Sequence, residues 1–274
     1  MERREFIQRL QGIAALPYVF YREQVENKFR EEDYESIFNG SRFIKGRDCL
    51  PLIIDACNKT RDNFVVTPEV AIVNLFMESS FNARAVSNFG AVGLGQFIAE
   101  TAEPYGSVYV DENYRIAKRL HDEHKRLSQL IEGRTKILES LSVDDFNRLK
   151  EIFRNRRVVG EERRINFSRY EKNLLTVTKD MRLDELAGFE WRLHEELAIR
   201  RSVDHLSNLG EEIKNELGIE EYPYVVLIAI AAYNSGMGAV NGNRGVPPYG
   251  ETIRHINKFM KYYSEAIKLK SRIS

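Results

Sequence analysis

The stretch 67-TPEVAIVNLFMESSFNARAVSNFGAVGLGQF-97 places one carboxylate, Glu78, at the end of an apolar run. Thr67 suits a helix N-cap, Pro68 suits the first helical position, and Glu69 complements the positive end of the helix dipole. Val70, Ile72, Val73, Leu75, Phe76 and Met77 then cover nearly every face, the pattern of a helix buried on all sides. Glu78 falls in the last turn. The negative end of the dipole and partial loss of water both raise a carboxyl pKa there. An acid with a raised pKa stays protonated near neutrality and has a proton to donate. Alone, an acid in this position is better explained by local capping.

Downstream, Gly90, Gly93 and Gly95 fall within six positions. Glycines so spaced permit a tight turn or the close approach of another group. No GK[ST] and no GxGxxG accompanies them, so a phosphate-binding loop is a weak reading.

The chain of 274 residues has room for a large core. Its 41 Lys and Arg balance 41 Asp and Glu, which argues against a dedicated nucleic-acid binder. The longest apolar run, Tyr224 to Ala232, is too short to span a bilayer. The opening MERREFIQRLQGIAALPYVF lacks a continuous apolar segment and a cleavage site, so no signal peptide is expected. Cys49 and Cys57 are expected to be buried free thiols. His121, His124 and His194 form no HExxH or Cys/His cluster, so no metal site and no cofactor are expected.

Elsewhere the pattern is helical. Phe6, Leu10 and Ile13 suggest a short amphipathic helix over residues 2–16. Gly40 and Gly46 bracket an expected loop. Residues 48–58 form a helix with Pro51 in its first turn. Residues 107–220 are charged and helix-prone, with a patchy stripe of Ile116, Leu120, Leu127, Leu130, Ile131, Ile137 and Leu141. Further amphipathic runs are expected at 181–199, which includes Trp191, and near 203–217. Val225 to Ala232 reads as a core helix, with Gly236 and Gly238 as stops and a Gly-, Asn- and Pro-rich loop reaching Gly250. A last helix over about residues 251–270 turns Ile253, Ile256, Phe259, Met260, Tyr263 and Ile267 inward.

Three blocks carry a resemblance. Glu78-Ser79-Ser80-Phe81-Asn82 and then Ala85-Val86-Ser87 with Gly90-Ala91-Val92-Gly93-Leu94-Gly95-Gln96 resemble the first two motifs of the soluble lytic transglycosylase (SLT) domain. Ala231-Ala232-Tyr233-Asn234-Ser235-Gly236 resembles the third, and Pro248-Tyr249-Gly250-Glu251-Thr252 resembles the closing segment. The resemblance spans roughly residues 47–105 and 180–265. It departs from the family at Gly95, where a methionine is usual, at Ala99, where a proline is common, and at His255, where a tyrosine follows the Glu-Thr pair. Glu78 and Tyr233 lie 155 positions apart, a long interval for the family.

The resemblance implies a mainly α, lysozyme-like fold (α+β with very little strand), related to goose-type lysozyme. The implied division is an N-terminal helical extension at 1–46, a catalytic domain in two parts at 47–106 and 179–274, and an inserted charged helical arm at 107–178. It implies a cell-wall lyase that degrades murein, cutting the β-1,4 bond between N-acetylmuramic acid and N-acetylglucosamine in peptidoglycan and leaving a 1,6-anhydro end. Glu78 is the implied single acid and base. Ser87 and Gln96 are implied to bond the sugar, backbone amides around Gly93 to bind an acetamido carbonyl, Tyr233 to pack on the sugar, and Asn234 to position it. Glu100, Glu103 and Glu251 are read as surface charges. The implied location is the cell envelope or exterior, with the arm as a possible docking element for a protein partner. Two other readings stay open: a hydrolytic muramidase with a second carboxylate, and a glycan-binding module of an envelope assembly.

Overall fold

Sequence patterning places the helices, and the side chains they must bury decide how they assemble. In the computed structural model, residues 28–39, 41–60, 64–135 and 142–271 are described. The expected helix over 2–16, Gly40, Ile137 and Leu141 lie outside them. Among the described residues ten α-helices follow in chain order: α1 (Leu50–Lys59), α2 (Pro68–Ser79), α3 (Ala99–Ala102), α4 (Glu112–Thr135), α5 (Val143–Val177), α6 (Leu183–Phe189), α7 (Glu195–Leu217), α8 (Tyr222–Ser235), α9 (Met237–Asn243) and α10 (Gly250–Lys270). Extended pairing among the described residues consists of isolated bridges, Val86 to Val92 and Val92 to Phe97. The protein is mainly α.

The chain divides into two compact units, one made of Met1–Asn82 with Glu195–Ser274, the other of Ala83–His194. In the first, α2 packs against α1, α7 and α10. Val70, Ala71, Ile72, Val73, Asn74 and Leu75 are consecutive and all buried, as an all-round apolar helix demands. Each large aliphatic side chain so buried contributes about 1.5–3 kcal/mol. α8 does the same from Val225 through Ala232. At its start α2 is tied to the far end of α10. Glu69, 2% exposed, accepts from Lys270 Nζ at 2.7 Å, and the same ammonium lies 3.9 Å from the centre of the Tyr34 ring. Glu69 therefore has a specific partner as well as a favourable dipole. Thr67 takes the N-cap position in extended conformation, but its side chain makes no capping bond.

At the other end of α2, Ser80 and Phe81 both adopt left-handed backbone, with φ of 53° and 61°. This is a costly conformation for a residue such as Phe. It turns the Phe81 ring back onto Gly46, where a Cβ would come within 2.5 Å of the ring. Phe76 lies against Phe81 at 6.2 Å between centroids. Gly46 thus sits inside a 3-10 turn, Ile44–Cys49, rather than ending a loop. Cys49 and Cys57 are buried and free.

In the second unit, α4 and α5 pack along each other. Leu127 and Ile131 are buried as their spacing predicts, but Leu130 is exposed, and Tyr114 and Ala117 complete the buried face. Tyr114, Phe167, Tyr170 and Leu174 form one core with Val92 and Ala99. α4, α5 and the glycine-containing turn therefore share a core.

At its centre is a buried ion pair. Arg192 donates from Nε and Nη2 to the two carboxylate oxygens of Glu190, both at 2.7 Å. It also donates to Phe97 O at 3.0 Å and to the Tyr170 hydroxyl at 3.0 Å. Both charged side chains are fully buried. This pair explains a departure from the sequence reading. The helical run expected at 181–199 breaks after Phe189, where a short 3-10 turn, Trp191–Leu193, carries Arg192 inward. In place of separate segments at 181–199 and 203–217, Glu195–Leu217 forms a single helix. The loop expected after Gly236 is likewise partly helical. Gly236, at φ 82°, does stop α8, but Gly238 lies inside α9.

Glu190→Ala leaves a guanidinium buried without its carboxylate. Urea unfolding is expected to show a loss of about 3–5 kcal/mol. A double Glu190→Leu, Arg192→Met replacement is expected to cost less than either single truncation.

Candidate functional site

Glu78 occupies the last turn of α2, two positions before the left-handed Ser80 that ends it. Its side chain is 16% exposed, at the edge of the apolar interior. Burial raises its pKa to about 7, against the opposing pull of the Lys258 ammonium. The group is therefore a protonated acid up to near neutrality.

The residue across from it is His255, on α10. Its Nε2 lies 3.7 Å from Glu78 Oε1, and its side chain is 15% exposed. Burial, and secondarily Lys258, lowers the imidazole pKa to about 4. Between about pH 4 and 7 the two are a neutral acid facing a neutral base rather than an ion pair. Sequence reasoning noted His255 only as a departure. The available signal was its helical spacing: it lies three positions after Thr252 and four before Phe259, both buried.

Tyr233, in the last turn of α8, is half-buried; its hydroxyl donates to Ser202 Oγ at 3.5 Å and its ring lies 5.3 Å from that of His205. Asn234 beside it is exposed. Glu251, at the start of α10, is exposed, as its reading as a surface charge expects.

The remaining candidates belong to the second unit, in the turn from Ala85 to Phe97. Ser87 Oγ accepts from the amides of Phe89 at 3.2 Å and Ala91 at 3.0 Å, which folds the turn. Gln96 sits at φ 49° and donates from Nε2 to Gly93 O at 2.9 Å and Ala85 O at 3.2 Å. Gly93 has φ 78°, and a Cβ there would overlap the carbonyl oxygen of Arg192. Its amide donates to Ala85 O at 2.8 Å. The polar side chains of Ser87 and Gln96 thus hold the turn's own backbone, and the Gly93 amide is similarly engaged. Glu100 accepts from the Tyr114 hydroxyl at 2.9 Å and pairs with Lys118 at 3.4 Å, a structural ion pair. Glu103 is exposed.

Residues 55–119 match the family model of the Transglycosylase SLT domain. The SLT match holds Glu78, Ser87, Gly93 and Gln96, begins within α1 and ends within α4. It therefore covers the first two motif blocks and stops well before the third. The resemblance read from the residues is supported over that segment, and a lysozyme-like fold agrees with the mainly α architecture. At the level of the family, the match supports a transglycosylase-type action on peptidoglycan. No curated protein and no solved structure gives a significant match to the chain. Among the described residues no helix is long and apolar enough to cross a membrane.

The facing acid and base make opposite contributions to stability. Folded Glu78 titrates near 7 against an ordinary 4.5, so its share of stability is whole below about pH 4.5 and lost as pH rises through about 7. Folded His255 titrates near 4 against an ordinary 6.5, so stability grows as pH rises from about 4 to 6.5. In the wild type the two slopes offset each other where they overlap. In Glu78→Gln the first slope is gone. Urea midpoints across pH 4–8 should show the variant gaining on the wild type, by up to about 3 kcal/mol above pH 7.

Proposed function

We propose that this protein is a peptidoglycan lytic transglycosylase, with Glu78 as its single general acid and base. The observation that carries the reading is a carboxyl group buried at the end of an apolar helix, protonated to about pH 7, within the SLT-matching segment. Glycosidic cleavage needs a proton on the leaving oxygen and stabilisation of an oxocarbenium-like centre. Protonated Glu78 gives its proton to the bridging oxygen as the bond from the anomeric carbon breaks. The substrate's own N-acetyl oxygen shields that carbon. The Glu78 carboxylate then takes the proton of the sugar's 6-hydroxyl as that oxygen bonds to the anomeric carbon. Protons balance, and no water is consumed. The product is a 1,6-anhydro-muramyl end.

Tyr233 and Asn234 are assigned to the sugar in this reading. Ser87, Gly93 and Gln96 fix the shape of their own turn. Peptidoglycan as substrate places the protein's action in the cell envelope.

Digestion of purified peptidoglycan, with products weighed by mass spectrometry, tests the reading. The wild type should release muropeptides lighter by one water than hydrolysis products. Glu78→Gln should lose at least about a thousandfold in rate, since the one proton donor is gone. Full-mass reducing ends identify a hydrolase instead, and binding without cleavage by both proteins identifies a glycan-binding module.

A further inference from the structure

Glu78 Oε1 and His255 Nε2 face each other at 3.7 Å, both atoms are buried, and neither has a hydrogen-bond partner among the described residues. Buried polar atoms are almost always satisfied, and those left unsatisfied call for an explanation. A separation of 3.7 Å is too long for a hydrogen bond but closes to one with a small side-chain rotation. The cost of leaving the pair open is smallest when Glu78 is protonated and greatest when it is an anion, because a buried charge without a donor is the more expensive state.

We propose that His255 is the partner of Glu78 in its ionised state: the neutral imidazole donates Nε2–H to the Glu78 carboxylate once the acid has given up its proton, and releases it when the acid is reprotonated. The inference rests on the reading of Glu78 as the working acid. No net proton leaves the imidazole. The hydrogen bond forms as the proton of Glu78 moves to the leaving oxygen and opens as the proton of the sugar hydroxyl arrives. The imidazole is suited to this because it is itself uncharged in the working range, so it steadies the carboxylate without locking it into a permanent ion pair. An arginine or lysine at the same place would hold the carboxylate ionised throughout and leave no acid to begin the reaction. Lys258, on the same helix, is the charged side chain whose field reaches both groups; it is exposed, and its effect on each is secondary to burial.

His255 is therefore a positioning and electrostatic residue, and three proteins separate this role from mere packing. His255→Phe keeps a ring and removes the donor, while His255→Gln keeps an N–H. The Glu78 carboxyl is followed by carbon NMR on glutamate-labelled protein, with Glu78→Gln identifying its signal. In His255→Phe the Glu78 midpoint should rise by about one pH unit and kcat should fall about tenfold with KM nearly unchanged, because a donor to the charged form has been lost. His255→Gln should restore both toward wild type. An unchanged Glu78 midpoint in His255→Phe overturns the proposal. Nitrogen NMR of the wild type supplies a check that does not depend on either variant folding. His255 should carry its proton on Nε2 above pH 7, and that resonance should move as Glu78 titrates; a bare Nε2 overturns the proposal. These titrations stand apart from activity. Retained cleavage by Glu78→Gln would sink the functional reading instead, whatever His255 does.

Discussion

A helix that is apolar on nearly every face can exist in water only if other elements surround it, and α2 imposes that demand on the whole of its unit. α1, α7 and α10 meet it. The demand ends one turn before the helix does. At Phe76 and Met77 burial falls from complete to partial, and Glu78 occupies that margin. A carboxyl group one turn earlier would be too costly to ionise, and one placed in open solvent would titrate near its ordinary value. The strained backbone at Ser80 and Phe81 belongs to the same arrangement. It spends free energy to stop the helix and bring a ring onto Gly46, and the aromatic packing around Phe81 offsets that strain.

The second unit adds a constraint of charge to its apolar core. A fully buried guanidinium needs every donor answered, and Arg192 finds Glu190, the Phe97 carbonyl and the Tyr170 hydroxyl. Glu190 is two positions away, but the other two acceptors come from separate stretches, so one side chain ties the 3-10 turn to the glycine-containing turn and the long helix α5. Gly93 completes the fit because any side chain there would meet the Arg192 carbonyl.

Much of this was visible in the residues. Thr67-Pro68 before an unbroken apolar run marked α2 and put Glu78 in its last turn, because apolar periodicity and terminal preferences are local properties. α8 was legible for the same reason. What escaped were features set by partners distant in sequence. The break after Phe189 depends on where Arg192 finds its acceptors, and nothing near position 190 announces it. Glu69 looked like a dipole partner because Lys270 lies 201 positions away. Ser87 and Gln96 read as sugar ligands, and that their side chains also bond the turn that carries them is visible only in the backbone geometry. In the sequence His255 stands as the absence of a tyrosine rather than as a group in its own right.

The chain order of the first unit has a consequence for synthesis. Its early part, through Asn82, must wait for Glu195 onward before it can close, while the intervening unit is contiguous and emerges whole. The Lys270 that anchors Glu69 lies in the last turn of α10, and His255 is on the same helix. A nascent chain on the ribosome therefore carries Glu78 on a helix whose surroundings are still missing. The share of its desolvation that α10 supplies therefore arrives only after Gly250–Lys270 has been translated and has packed against α2.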